Sequence, residues 1–195
     1  MRISSTLNNI KKKLNKHSDR VVLQDILDVS SGGNYFILFL MSCLSNIPTP
    51  VIPIISVFFG ILMVICSIQI LLNFKTIKIP KFLQNIKINK DLLFYAIDKV
   101  VNLFKKIENK TKVRLIFIFY NKQQKLILHI IMFIMSILVI IPIPFVSFLP
   151  AVAVMLIIFG LFNRDGLYIL LGVILSLISL LIYLLFIVMI GKAVR

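Results

Sequence analysis

The sequence predicts an all-α, polytopic membrane protein, and three observations carry that prediction. Hydrophobic residues make up 59% of the 195-residue chain and charged residues only 15%. Soluble globular proteins have about 45–50% and about 25%. The mean hydropathy is +1.03, and a chain this apolar does not stay solvated in a disordered state. The apolar residues gather in runs at 35–74, 126–162 and 167–190, long enough to enter or cross a bilayer. The cations lie outside these runs: of 22 Lys and Arg, six fall in residues 1–34 and thirteen in 75–125. A net charge of +15 in a soluble protein would point to nucleic acid. Flanking lipid-seeking segments, it is instead the pattern that orients spans and attracts anionic headgroups. The lipid bilayer and its anionic headgroups are therefore the expected partners, and nucleic acid is not.

Taken in order, residues 1–34 form a polar N-terminal arm. Ile3, Leu7, Ile10 and Leu14 recur at helical spacing, with Lys11, Lys12, Lys13 and Lys16 toward the C-terminal end, where cations suit the helix dipole. This predicts a helix lying on the cytoplasmic leaflet. Val22–Val29 predicts a second short helix, ended by Ser30-Ser31-Gly32-Gly33. No apolar h-region precedes residue 34, so a signal peptide is not expected and the first apolar run is expected to serve as the insertion signal. The first membrane repeat, 35–74, is interrupted by Pro48, Pro50 and Pro53. Its first piece, Tyr35–Ile47, would be about 20 Å long as a helix, too short to cross a core of about 30 Å alone. Its second, Val51–Asn73, is long enough.

Residues 75–125 are a basic amphipathic segment expected on the cytoplasmic side. Leu93, Ile97, Val100, Phe104 and Ile107 mark one helical face, with Asp91 and Asp98 toward its start and Lys105, Lys106 and Lys110 toward its end. An interfacial helix and a cytosolic helix packed on another part of the chain both fit this pattern. The second membrane repeat, 126–162, is interrupted by Pro142, Pro144 and Pro150, and the uncharged stretch within 167–190 predicts the final transmembrane helix. Cys43 and Cys66 have no metal or redox spacing and read as small buried hydrophobes.

The two repeats align at a constant offset of 94 residues. Phe39, Met41, Ser42, Leu44, Ile47, Pro48 and Pro50 match Phe133, Met135, Ser136, Leu138, Ile141, Pro142 and Pro144. The shared Ile-Pro-x-Pro has a specific physical meaning. Each proline lacks an N–H and clashes with the preceding turn, and the residue before it is driven out of the α region. Two prolines separated by one residue stop a helix and leave backbone groups that, in lipid, need protein or water partners. Re-entrant half-helices and helical hairpins with the prolines at their tips both satisfy the charge pattern, which keeps residues 1–34 and 75–125 on one side. Transporters build sites from paired broken helices. A solvated turn at the membrane surface uses the same residues without a site.

The candidate substrate-binding or pore-lining residues follow from the breaks and from the polar groups near them: Asn46, Pro48, Pro50, Gln69, Pro142, Pro144, Ser147, Arg164 and Asp165. Buried amides in lipid must be paired. For Ser42, Asn46, Ser56, Gln69, His129, Ser136 and Ser147, interhelical hydrogen bonds that hold the bundle together are the alternative to a polar lining. His129 lies near the membrane entry, where an imidazole could relay protons. Arg164-Asp165 reads either as an interfacial turn with Gly166 at positive φ or as an ion pair folded into the core. No segment supplies a nucleophile–base–acid set, a metal cluster or a phosphate-cradling loop. Neither an enzymatic reaction nor a cofactor is expected.

The order of motifs resembles a known family. The chain runs from Val21-Val22-Leu23-Gln24-Asp25-Ile26-Leu27 through Ser45-Asn46-Ile47-Pro48-Thr49-Pro50, then Gln69 and Ile79-Pro80. It continues with Ile141-Pro142-Ile143-Pro144-Phe145 and Leu149-Pro150-Ala151, and ends with Gly160-Leu161-Phe162-Asn163-Arg164-Asp165-Gly166. Over nearly its whole length this is similar to the ExoD family of bacterial inner-membrane proteins linked to exopolysaccharide synthesis. Two departures stand out: Lys78-Ile79-Pro80 where the family commonly has Trp-Leu-Pro, and Val146-Ser147 where it has Asn after Pro-Phe. The resemblance implies a multi-pass inner-membrane location and a role touching surface polysaccharide. The basic arm implies a cytoplasmic N-terminus. Two functional readings stand side by side: a small transporter or flippase-like protein, and a non-transporting accessory that binds an envelope-synthesis partner.

Overall fold

The computed structural model describes residues 11, 20–22, 33–46, 53–74, 87–89, 94–95, 97–98, 101–102, 111, 121–141 and 146–193. The chain is helical there except for one small ribbon, in which β1 (Arg20–Val22) pairs antiparallel with β2 (Lys87–Asn89) and Val21 faces Ile88. Val22, expected to open a short helix, lies in this strand instead. Adjacent β-branched residues suit a pleated ribbon, but the partner strand comes from the distant middle segment, which no local pattern announces. Residues 23–29, the rest of that expected helix, lie outside the described residues.

Five helices carry the fold. They are α1 (Gly33–Ser45), α2 (Pro53–Leu71), α3 (Lys122–Ile140), α4 (Phe148–Asn163) and α5 (Gly166–Ala193). Pro53 is the first residue of α2 and Pro150 the third of α4. Both read in the sequence as interruptions, yet in a first turn a proline gives up no hydrogen bond and its fixed φ favours the helix. They start helices rather than stop them. Pro48, Pro50, Pro142 and Pro144 lie outside the described residues. The helices on either side of them stop nearby: α1 closes at Ser45, and α3 at Ile140 with Ile141 extended (φ −76°, ψ 110°). That is the conformation expected of the residue before a proline.

The start of α3 precedes the apolar run by four residues, because the Asn121 N–H donates to Gln124 Oε1 (3.2 Å) in a capping-box arrangement. The returning helices end alike. Asn73 (φ 57°) and Arg164 (φ 53°) take the left-handed conformation after α2 and α4. The Phe74 N–H then reaches back to Gln69 O (2.9 Å) and the Asp165 N–H to Gly160 O (3.0 Å). These are the long bonds of a Schellman cap. The left-handed residue of the Asn163-Arg164-Asp165-Gly166 turn is therefore Arg164, not Gly166. Only two residues separate the helices and Asp165 caps the next one, so the chain reverses two residues earlier, at Arg164.

Helices α1 to α4 form a closed ring in which α1 packs on α2 and α4, and α3 packs on α2 and α4. Gly60 of α2 sits against Ile140 at the end of α3, Phe36 at the start of α1 meets Phe162 at the end of α4, and Gly160 lies under Ile169 of α5. Neighbours are thus antiparallel. The starts of α1, α3 and α5 and the ends of α2 and α4 share one end of the bundle, the near end. The ends of α1 and α3 and the starts of α2 and α4 lie at the other, the far end. The 13-residue α1 is buried on every side from Phe36 to Leu44, as an interior helix should be. α3 is two-faced although mostly apolar from Leu126 on: Leu128, Met132, Met135 and Val139 are buried, while Ile127, Ile130, Ile134 and Ile137 point outward. α3 (Lys122–Ile140) and α5 (over Gly166–Met189) are long and apolar enough to cross a membrane.

Residues 94–95, 97–98 and 101–102 are helical, and Ile97 and Val101 join the buried core with Phe94 against it. At these positions the apolar face of the middle segment meets protein. Asp98, on the outer face, pairs with Lys11 Nζ at 2.6 Å, and the same ammonium stands 5.3 Å from the Phe94 ring centre. Both partners are substantially exposed, so Asp98→Asn is expected to cost less than about 1 kcal/mol, as read from the thermal midpoint of the purified protein.

Candidate functional site

The predicted site residues occupy the two ends of the bundle rather than one place. At the far end, Asn46 closes α1: its Nδ2 donates to Ser42 O (2.9 Å), and its buried Oδ1 has no partner among the described residues. Ser147 sits half-buried at the N-cap of α4. At the near end, Gln69 lies in the last turn of α2 and takes part in its cap through its carbonyl. Arg164 is exposed and Asp165 wholly buried, where its Oδ1 accepts the Leu167 N–H (3.1 Å) at the start of α5. Pro48, Pro50, Pro142 and Pro144 lie outside the described residues, and so does whatever faces them.

Ser42 and Ser136 bond within their own helices rather than between helices. Ser42 Oγ donates to Phe39 O (2.7 Å) and Ser136 Oγ to Met132 O (2.7 Å), each within its own helix. Two tyrosines make cross-helix bonds. Tyr183 of α5 donates its hydroxyl to Leu138 O (2.8 Å), with Ile141 O at 3.4 Å, and so caps the broken end of α3. Tyr35, in the first turn of α1, meets His129 Nε2 of α3 at 2.6 Å, with the rings tilted by 42°.

The Tyr35–His129 pair forms the floor of a cleft of about 210 Å³ at the near end, lined also by Lys125, Leu128, Leu161 and Phe162. Local sequence explains each placement. Lys125 and His129 are one turn apart on α3, so both face the same side. Phe162, held edge-on by Phe36 at 6.3 Å, forms the apolar wall where α4 ends. His129 is 7% exposed, so its ring is part of the packed interior while its edge opens to the cleft. The sequence reading assigned Tyr35, Lys125 and Tyr183 no role, although a signal for the first was present. Tyr35 and His129 stand 94 residues apart, the offset of the repeat, so the duplication lays one over the other.

A closed ring of four helices, one of them short and buried, in a bundle with two helices long and apolar enough to cross a bilayer, is compatible with membrane embedding. The family model described as exopolysaccharide synthesis, ExoD, matches residues 3–185, and the chain belongs to that family. No curated protein and no solved structure matches the chain.

Proposed function

We propose that this ExoD-family chain is an integral, multi-pass protein of the bacterial inner membrane that serves exopolysaccharide production as a small carrier, with its N-terminus cytoplasmic. The observation that carries the proposal is the ring. Exchanging α1 with α3 and α2 with α4 maps every packed pair in it onto another. Such an exchange is what a duplication at an offset of 94 would produce. Tyr35 and His129, equivalent under it, touch each other. Two proline-broken helix pairs related in this way are the parts from which carriers build a central site. The outward isoleucine row of α3 and the exposed leucines and isoleucines of α5 suit acyl chains. The basic segments flanking the near end suit anionic headgroups. The proposal assigns the chain no covalent chemistry of its own.

Cysteine scanning across 44–54 and 138–150, in a background lacking Cys43 and Cys66, tests the carrier. Labelling by a small aqueous thiol reagent from one side, reaching deep into both breaks, is the expected outcome. Labelling confined to one or two residues at each tip would make the breaks surface turns. It would favour the accessory reading, in which the arm and the middle segment, joined by β1–β2 and Lys11–Asp98, form a platform for an envelope-synthesis partner.

A further inference from the structure

Measured along α5, the second helix pair is too short for the bilayer. Lys122, Lys125 and Arg164 hold its near end at a membrane surface. Beyond Lys125, α3 is free of Lys, Arg, Asp and Glu only over residues 126–140, about 22 Å of helix, and α4 measures about 24 Å. A hydrocarbon core is about 30 Å thick. The uncharged stretch 167–190 of α5 measures about 36 Å. The Tyr183 hydroxyl marks where α3 stops along it, by capping Leu138 O at 2.8 Å. Seven residues of α5, 184–190, then run on for about 10 Å before Lys192. α4 begins at the same level. Gly160 lies against Ile169 and Gly172 against Ile157, and this antiparallel register sets Tyr183 opposite the first turn of α4. Helix length and helix contact therefore give a similar shortfall.

Past Tyr183, residues 184–189 are all exposed, from 39% to 70%, and they go all the way round the helix. α2 also outruns α3: Gly60 lies against Ile140, and residues 53–59 continue beyond it for about 10 Å. α3 packs between α2 and α5 and is the short member of that row. Where it stops, Ile141 and Phe148 are exposed. Among these two and residues 184–189 no side chain is polar and none is small. The surface thus lacks the Gly, Ala or Ser on which helices pack against one another in lipid. We infer that the helices of the second pair stop inside the bilayer, about 10 Å short of its far boundary, and that acyl chains of the far leaflet fill the space over Ile141 and Phe148, against residues 184–189 of α5. α2 reaches the depth that α4 does not, so two pairs alike in sequence differ in how far they cross. The inference rests on the membrane placement proposed above, and not on carriage.

Fluorescence quenching by brominated lipids tests it. The chain contains no tryptophan, so each single-Trp variant of the full chain, reconstituted in phosphatidylcholine vesicles, reports one depth. The quenchers are phosphatidylcholines brominated either near the headgroup or at the middle of the acyl chain. Phe148→Trp and Ile141→Trp, both at exposed positions, are expected to be quenched more by the chain-middle bromines than by the headgroup ones. Val188→Trp, near the far boundary, is expected to show the reverse preference. Leu177→Trp, exposed midway along α5, reports embedding itself and is expected to follow the chain-middle bromines. If Phe148→Trp and Ile141→Trp instead follow Val188→Trp, the turn lies at the far surface and the inference is overturned. Quenching of those two by neither lipid, with Leu177→Trp quenched, would put protein or water over the turn and overturn it as well. No quenching at Leu177→Trp would overturn the membrane placement, so the two failures are told apart, and neither depends on whether anything is carried.

Discussion

Gly172→Leu is expected to abolish accumulation of the folded protein, while Gly191→Leu leaves it unchanged. Both glycines lie in α5 and both substitutions raise helix propensity, so propensity alone forecasts two gains. Packing decides otherwise. A Cβ at Gly172 would stand 2.7 Å from Ile157 Cγ1, 2.9 Å from Ala153 O and 2.9 Å from Ile157 N, whereas at Gly191 nothing lies within 4 Å. Backbone atoms cannot step aside as a flexible side chain can. Gly160 makes the reciprocal approach, with a Cβ there falling 2.7 Å from Ile169 N. The two helices thus meet main chain to main chain, the geometry that small residues permit between helices in lipid. Ser176 and Ser179 continue the seam, both almost wholly buried. Even Gly172→Ala is expected to cost roughly 1–3 kcal/mol through overpacking, and leucine adds three carbons to a space that does not hold one. Detergent size-exclusion profiles with a thermal midpoint check this. A monodisperse Gly172→Leu protein with an unshifted midpoint would mean that α4 and α5 are not packed as described.

That seam shows what a single sequence reveals and what it hides. The length and charge-free character of 167–190 marked a spanning helix, because hydropathy is a local property that the bilayer enforces. Nothing in the same stretch marked which side of α5 faces protein. Leucine and isoleucine fill the outer face, and the inner one mixes Gly172, Ser176 and Ser179 with Ile169 and Tyr183, so it lacks the apolar stripe on which periodicity arguments rest. The Ile-Pro-x-Pro elements were legible because proline acts on its own neighbours, and α3 does end directly before one. Pro53 and Pro150 were misread as breaks because composition does not say on which side of a helix start a proline falls. The β1–β2 ribbon pairs residues 65 to 69 positions apart, from Val22 with Lys87 to Arg20 with Asn89, and no local signal records such a distance. Of the candidate site, the polar residues near the breaks were visible by their cost in lipid. The groups that meet across helices were not, because a tyrosine in an apolar run looks like packing until its partner is known.

Tyr183→Phe is expected to destabilise the protein by about 1–3 kcal/mol, and Pro142→Ala to recover much of that loss. The Leu138 carbonyl would receive the N–H of residue 142 in a continued α-helix, but residue 142 is proline and has none. The Ile141 N–H offers a bent 3₁₀-type substitute at 3.2 Å. The stronger partner is the Tyr183 hydroxyl at 2.8 Å, delivered from a different helix by a side chain only 2% exposed. Phenylalanine keeps the ring and its packing and removes only this bond. The part-buried carbonyl is left with a weak partner, and stranding an acceptor away from water costs more than the net worth of an ordinary hydrogen bond. Pro142→Ala returns an N–H at the position that can reach Leu138 O, so the two substitutions should be non-additive, with a coupling of about 0.5–3 kcal/mol in the stabilising direction. Thermal or denaturant midpoints of the two single variants and the double variant complete the cycle. Simple additivity would mean that the hydroxyl does not compensate the break, and α5 would lose its role as the element that holds it. Coupling, by contrast, makes α5 a brace on the second broken pair. If that pair is a moving part of a carrier, Tyr183→Phe should change transport by more than its stability loss accounts for. In a rigid accessory, activity should follow stability alone.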